Sequence, residues 1–117
     1  MGTAVDSAGH YLCERTGPNS TTGQQAVVRV ALNGTGPTTL ATETGYPTNC
    51  WVTPSDTHVY YYGWDLKALK RVPKAGGAVE TIISDPAAGL RYMAINGGFV
   101  YYGTPMEIRR IATTYSP

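Results

Sequence analysis

Hydrophobic and polar positions alternate along this chain in short runs, each cut off by Gly, Pro, Asn or Asp. A period of two in segments rich in β-branched and aromatic residues predicts strands joined by tight turns, and it is not the 3.6-residue period of an amphipathic helix. In the middle of the chain the pattern predicts four strands, at Cys50 to Thr53, His58 to Tyr62, Ala68 to Val72 and Val79 to Ile83. The turns between and after them fall at Pro54 to Thr57, Gly63 to Asp65, Ala75 to Gly77 and Asp85 to Gly89. Lys74-Ala75-Gly76-Gly77-Ala78 reads as a hairpin, with glycine where a positive φ costs little.

The same order of parts recurs. Leu32 to Leu40 matches Lys74 to Ile82 without a gap, and Val28 to Ala31 matches both Lys70 to Pro73 and Arg109 to Ala112. Upstream, His58 to Tyr61 matches Phe99 to Tyr102 and, more loosely, His10 to Cys13. Arg29 precedes Arg71 by 42 residues and Arg71 precedes Arg110 by 39, a spacing that belongs to repeat architectures. A four-stranded antiparallel meander repeated at this interval is a β-propeller blade.

The expected fold is therefore all-β, with one partial propeller over residues 1–117. Its units are approximately 3–45, 46–88 and 89–117, the last without its outer strand, or about 2.75 blades. A six-bladed ring needs about 240 residues at this period, which two copies of the 117-residue chain nearly supply. The expectation is a homo-oligomer, with a dimer favoured, that covers the apolar faces left open on the first and third units.

Composition narrows the partners. The 117 residues carry a formal charge of +1 from nine basic and eight acidic residues spread along the length, which disfavours nucleic acid and anionic membranes. Fourteen Gly, eight Pro and nine Tyr fit short strands and turns. Apolar stretches fall far short of the ~20 residues that span a bilayer, and the amino terminus has neither the basic start nor the apolar run of a signal peptide. The compartment is not readable from that end. Cys13 and Cys50 lack CxxC spacing and a nearby His pair, so a zinc site is disfavoured. Two reduced cysteines packed in the sheets are preferred, with a disulfide as the alternative.

The order of a hydrophobic strand, a Val-Tyr-aromatic strand, an Arg-Val/Ile strand, a Gly-Gly turn and a Thr-aliphatic strand resembles six-bladed propellers of the TolB-like and YWTD-like kind. The resemblance covers nearly the whole chain. Tyr60-Tyr61-Tyr62-Gly63 and Tyr101-Tyr102-Gly103-Thr104 keep the aromatics of the YWTD box and lose its Trp and Asp. Some such propellers are metal-dependent hydrolases or lyases that gather Glu, Asn and Asp in the central channel. Here the inner strands offer only Asp6 and Asn96, thin for a calcium site of six or more oxygens.

In a propeller, the loops between second and third strands and the loops between blades ring one mouth of the channel, where ligands usually bind. That face carries residues 14–25, 46–49, 63–67, 89–92 and 104–107. Trp64 with Asp65 and Lys67 is the leading ligand-binding candidate, because an aromatic plane beside a carboxylate and an ammonium can stack on a sugar and hydrogen-bond its hydroxyls. The plainer alternative has Trp64 cover the next blade. Arg91 with Tyr92 forms a second candidate, set against an Arg stacked on an aromatic at a blade junction. Tyr46 adds another aromatic among polar loops.

The remaining motifs read as structure. His58 is replaced by Phe99 in a sister unit, which argues for packing. Arg29, Arg71 and Arg110 occupy one repeated position and are expected to do one job, capping a loop carbonyl or pairing with a carboxylate. Residues 16–23 enlarge one loop, and Asn33, though in a sequon, sits in a Gly turn. No Gly-x-Ser-x-Gly elbow exists, and His10 and Cys13 fall on opposite strand faces, so no catalytic residues are assigned. The chain reads as a non-catalytic propeller scaffold or binding module without cofactor or metal, carbohydrate binding being a special case. The alternative is a fragment of a metal-assisted propeller hydrolase or lyase.

Overall fold

The computed structural model describes residues 3–16, 23–44, 50–63, 68–84, 90, 92–103 and 107–117. These form three antiparallel sheets and no helix. The first runs β1 (Thr3–Asp6), β2 (Gly9–Thr16), β3 (Gln24–Val30) and β4 (Thr38–Thr44). The second runs β5 (Cys50–Pro54), β6 (His58–Gly63), β7 (Ala68–Pro73) and β8 (Glu80–Ser84). The third holds β9 (Tyr92–Asn96), β10 (Phe99–Gly103) and β11 (Ile108–Ala112). Each is an up-and-down meander in chain order. The second sheet stands between the other two, with β5 packed against β1 and β9.

Strand pairing fixes which positions are equivalent. Tyr11 faces Arg29, Tyr60 faces Arg71 and Tyr101 faces Arg110 across the second and third strands. By this register His58 corresponds to Gly9 and Phe99, so the looser sequence match of His58 to His10 is corrected by one residue. The cross-strand Tyr–Arg pair decides the frame. A register irregularity recurs between Val27 and Val28 and between Leu69 and Lys70, again at equivalent places.

The turn after each inner strand is one fold made with three chemistries. Asp6 Oδ1 accepts hydrogen bonds from the Ala8 and Gly9 amides at 2.8 and 3.2 Å. Ser55 Oγ accepts from the His58 amide at 3.1 Å. In the third sheet Gly97 and Gly98 adopt φ of 60° and 81°, the positive pair that a two-residue hairpin turn of the primed type requires.

Side chains alternate between the two faces of each sheet, and the faces meet in two seams. Tyr11, Cys13 and Val27 of the first sheet pack on Val52, Val59, Tyr61 and Val72 of the second. The opposite face of the second sheet, with Tyr60, Tyr62 and Leu69, packs on Val100 and Tyr102 of the third, flanked by Met93, Ile95 and Ile111. Fully burying one such aliphatic side chain stabilises by about 1.5–3 kcal/mol. This explains β6: in His-Val-Tyr-Tyr-Tyr-Gly, Val59 to Tyr62 are all buried because both faces of the strand are covered.

Polar and covalent ties cross the first seam. The Tyr61 hydroxyl donates to Glu43 Oε2 at 3.1 Å and Lys70 Nζ to Glu43 Oε1 at 2.5 Å. Burial and the Glu43 charge push the Tyr61 phenol far up. Cys13 is disulfide-bonded, and Cys50, which opens β5, is the chain's only other cysteine. The preference for two reduced thiols is corrected: facing sheets bring together positions that lie far apart in sequence.

Candidate functional site

All described turns between strands lie at one end of the molecule, and there the three sheets enclose a cleft of about 730 Å³. Asp6 and Ser7 come from the first sheet, Ser55 to Thr57 and Lys74 from the second, and Asn96 and Thr113 from the third. Asp6, Ser55 and Asn96 hold equivalent positions, so the cleft is built by stacking one repeated turn three times.

Electrostatics centres on Asp6. Lys74 Nζ lies 2.5 Å from Asp6 Oδ2, and the Tyr11 hydroxyl donates to Oδ1 at 3.2 Å. Burial opposes ionisation of Asp6, but the Lys74 ammonium, the Ala8 amide and the Tyr11 hydroxyl outweigh it and hold the carboxyl below its ordinary value. Burial, seconded by the Asp6 charge and hydrogen bond, pushes Tyr11 up to about 12. Both carboxylate oxygens are thus engaged by protein donors, and a cation at Asp6 would have to displace an ammonium. That donor set does not fit a hard-cation site of six or more oxygens. Among the described residues no three His, Cys, Asp or Glu side chains gather as a cation site. What the cleft offers is hydroxyls, the Asn96 amide and the exposed Asp56 carboxylate, groups suited to hydrogen-bonding a polar ligand.

The repeated arginines act across seams. Arg29 Nη1 donates to the carbonyl oxygen of Lys74, and Arg71 Nη1 donates to that of Thr113 at 3.3 Å. Lys74 and Thr113 are the same position of one turn, each following the residue whose carbonyl accepts from the amide three places on: Pro73 from Gly76, and Ala112 from Tyr115. Arg29 and Arg71 therefore each reach forward to the next sheet. Arg71 also grips Glu80, Nε to Oε1 at 3.0 Å and Nη2 to Oε2 at 3.3 Å, and donates to the Tyr60 hydroxyl at 3.2 Å. Both capping and carboxylate pairing, the two jobs expected from sequence, occur.

The position two residues before each repeated tyrosine (Gly9, His58, Phe99) lies beside its sheet's arginine. Gly9 lies so close to Arg29 that an added Cβ would sit 3.0 Å from its Cγ and 2.8 Å from the Val30 carbonyl oxygen. His58 holds that position in the second sheet, where burial and Arg71 lower its pKa against the opposing pull of Glu80. In the third sheet the Arg110 guanidinium lies 4.2 Å from the centre of the Phe99 ring.

Of the residues singled out from sequence, Tyr46, Trp64, Asp65, Lys67 and Arg91 lie outside the described residues. Tyr92 lies on β9, 63% exposed, beside a shallow apolar groove of about 210 Å³ shared with Tyr101, Tyr102 and Ile108. Its equivalent in the second sheet, Trp51, stacks on Tyr62 with ring centres 6.5 Å apart. Sequence reasoning missed the cleft residues Ser55, Asp56 and Thr113; their only signal was recurrence of the turn. It also missed Gln25, a buried amide with neither polar atom hydrogen-bonded. No protein-family model matches the chain, and no curated protein or solved structure matches it at a significant level.

Proposed function

We propose that the chain is a non-catalytic module of β-propeller blades, of the TolB-like and YWTD-like kind, that closes its ring with a second copy and serves as a binding scaffold. One observation carries this reading. Positions sealed at both internal seams are open where the stack stops: Leu69 is 0% exposed while its equivalent Ile108 is 77% exposed. Stable monomers rarely leave contiguous apolar faces beyond a few hundred Å² in water. A ring of blades buries both open faces at once.

The polar cleft suggests the ligand class. Asp6 and Lys74 neutralise each other; the Ser55, Thr57 and Thr113 hydroxyls are engaged with His58 and Gly98 and keep acceptor lone pairs, the Asn96 amide can donate and accept, and Asp56 can accept two hydroxyls. A neutral polyhydroxylated ligand, a carbohydrate, suits that set. Trp64, Asp65, Lys67, Tyr46, Arg91 and Tyr92 remain proposed ligand contacts of a second, separate face, at the end of the strands where Gly63 and Ala68 lie, opposite the cleft. Light scattering coupled to size exclusion tests the scaffold: the expected mass is twice the 12.5 kDa of one chain, and a stable single chain overturns it. A glycan array tests the ligand class. Binding that weakens in Asn96→Ala supports the cleft, and an array without signal removes the carbohydrate assignment.

A further inference from the structure

We propose that the third sheet of one copy docks on the first sheet of a second copy in the same head-to-tail way as the sheets stack within the chain, with Arg110 donating to the Leu32 carbonyl of that second copy. This deepens the scaffold reading and rests on it. Each internal seam has a donor face and an acceptor face. The donor face is built on the Tyr–Arg pair and the aliphatic residue beside it: Tyr11, Arg29 and Val27 in the first sheet, Tyr60, Arg71 and Leu69 in the second. The acceptor face is apolar: Val59 and Val72 in the second sheet, Val100 and Ile111 in the third.

Both faces exist once more at the two ends of the stack, with no further sheet against them among the described residues. The third sheet turns Tyr101, Arg110 and Ile108 outward, the donor set at equivalent positions. The first sheet turns His10, Leu12 and Val30 outward, which by register are the positions of Val59, Tyr61 and Val72. Beside them Val5, equivalent to Ile95 at the second seam, is 65% exposed.

The carbonyl that would meet Arg110 is identified by the same frame. Lys74 and Thr113 each lie three residues beyond their own sheet's arginine, and Leu32 lies three beyond Arg29. Leu32 follows Ala31, whose carbonyl accepts from the Gly34 amide as Pro73 does from Gly76. The turn is thus already in the acceptor form, and Leu32 is 62% exposed. Phe99 holds the Arg110 guanidinium over its ring on the donor side. The chain therefore carries the missing half of each open face at its opposite side, and a second copy supplies it without a new kind of contact.

The test blocks one face at a time in the 117-residue chain. Ile108→Asp blocks the donor face and His10→Asp the acceptor face. Both positions are exposed, and unchanged circular dichroism confirms folding. Head-to-tail closure predicts that each variant alone runs as a single chain in light scattering. An equimolar mixture regains the two-chain mass, because one joint then pairs an intact donor face with an intact acceptor face. If only Ile108→Asp dissociates, third sheets pair with each other; if only His10→Asp does, first sheets do. Either result, or two variants that both stay dimeric, overturns the proposal while leaving the scaffold standing. A wild-type single chain overturns both. Arg110→Ala removes one charge-assisted hydrogen bond from each of the two joints and so raises the dimer dissociation constant by about a hundredfold or more; an unchanged constant overturns the Arg110–Leu32 contact.

Discussion

The second and third sheets are built from nearly the same words and live in different surroundings. Leu69 and Ile108, Tyr60 and Tyr101, Arg71 and Arg110 are pairwise equivalent, yet the first of each pair is buried and the second is half-buried or exposed. Local sequence explains the strand in both cases. What separates them is a neighbour. Arg71 has Thr113 ahead of it and Glu80 beside it, whereas among the described residues Arg110 has the ring of Phe99 beneath it. A repeated sequence thus specifies a surface, and the next unit decides whether that surface becomes a core.

The sharpest way to break the comparison is to cut the same side chain from both sheets. Leu69→Ala is expected to cost about 2–5 kcal/mol through lost transfer energy and the cavity left behind. Ile108→Ala in dilute single chains should stay within about 0.5 kcal/mol, as for an ordinary surface change. Urea midpoints compare the two, and equal losses would mean that Ile108 is covered within one chain. Next in size is the covalent tie of the first seam. Cys13→Ser, or a reductant, should lower stability by about 2–4 kcal/mol on denaturant titration, and Leu69→Ala should add its cost to that independently. Arg71→Ala follows, at about 1–3 kcal/mol, since it removes a guanidinium from the Tyr60 hydroxyl, the Thr113 carbonyl and Glu80. Arg110→Ala should leave the midpoint of single chains nearly unmoved.

The smallest effect is on pH. The folded pKa of His58 is lowered, so its contribution is present above its ordinary 6.5 and fades as acidification forces a second cation beside Arg71. Asp6 acts in the same direction lower down: its carboxyl is held below the ordinary 3.8, and its contribution is lost as pH falls through the folded value. Tyr11 acts at the other limit. Its pKa rises from 10 to about 12, so its contribution holds up to pH 10 and disappears between 10 and 12. Thermal midpoints across that range should form a plateau with two shoulders. His58→Phe, which installs the residue of the third sheet, should erase the first loss below neutrality.

Much of the architecture was legible because strands obey a period of two and because the units repeat. In the second unit three predicted strands begin where the structure begins them, at Cys50, His58 and Ala68. The slip between His10 and His58 shows the weak point of matching letters. Identity favoured aligning the two histidines, while the pairing of Tyr11 with Arg29 set the frame one residue away. Cleft and disulfide were hidden for a different reason. Neither depends on neighbours in sequence: the angle between sheets brings Asp6 to Lys74, and their face-to-face packing buries Cys13 in the first seam. The arginine position was legible as a repeat, but its direction of reach was not, because that requires knowing which sheet stands ahead.

That direction of reach makes the two open sides unlike, as a hook differs from an eye. Units coupled this way add in one sense only, and a reversed unit finds a hook facing a hook. The angle between sheets then governs the outcome: a turn that returns to its start gives a finite ring, and one that misses gives a growing filament. Control of size would rest with a few degrees at the seams, and a substitution that opens a seam slightly without weakening it could change a discrete particle into a fibre.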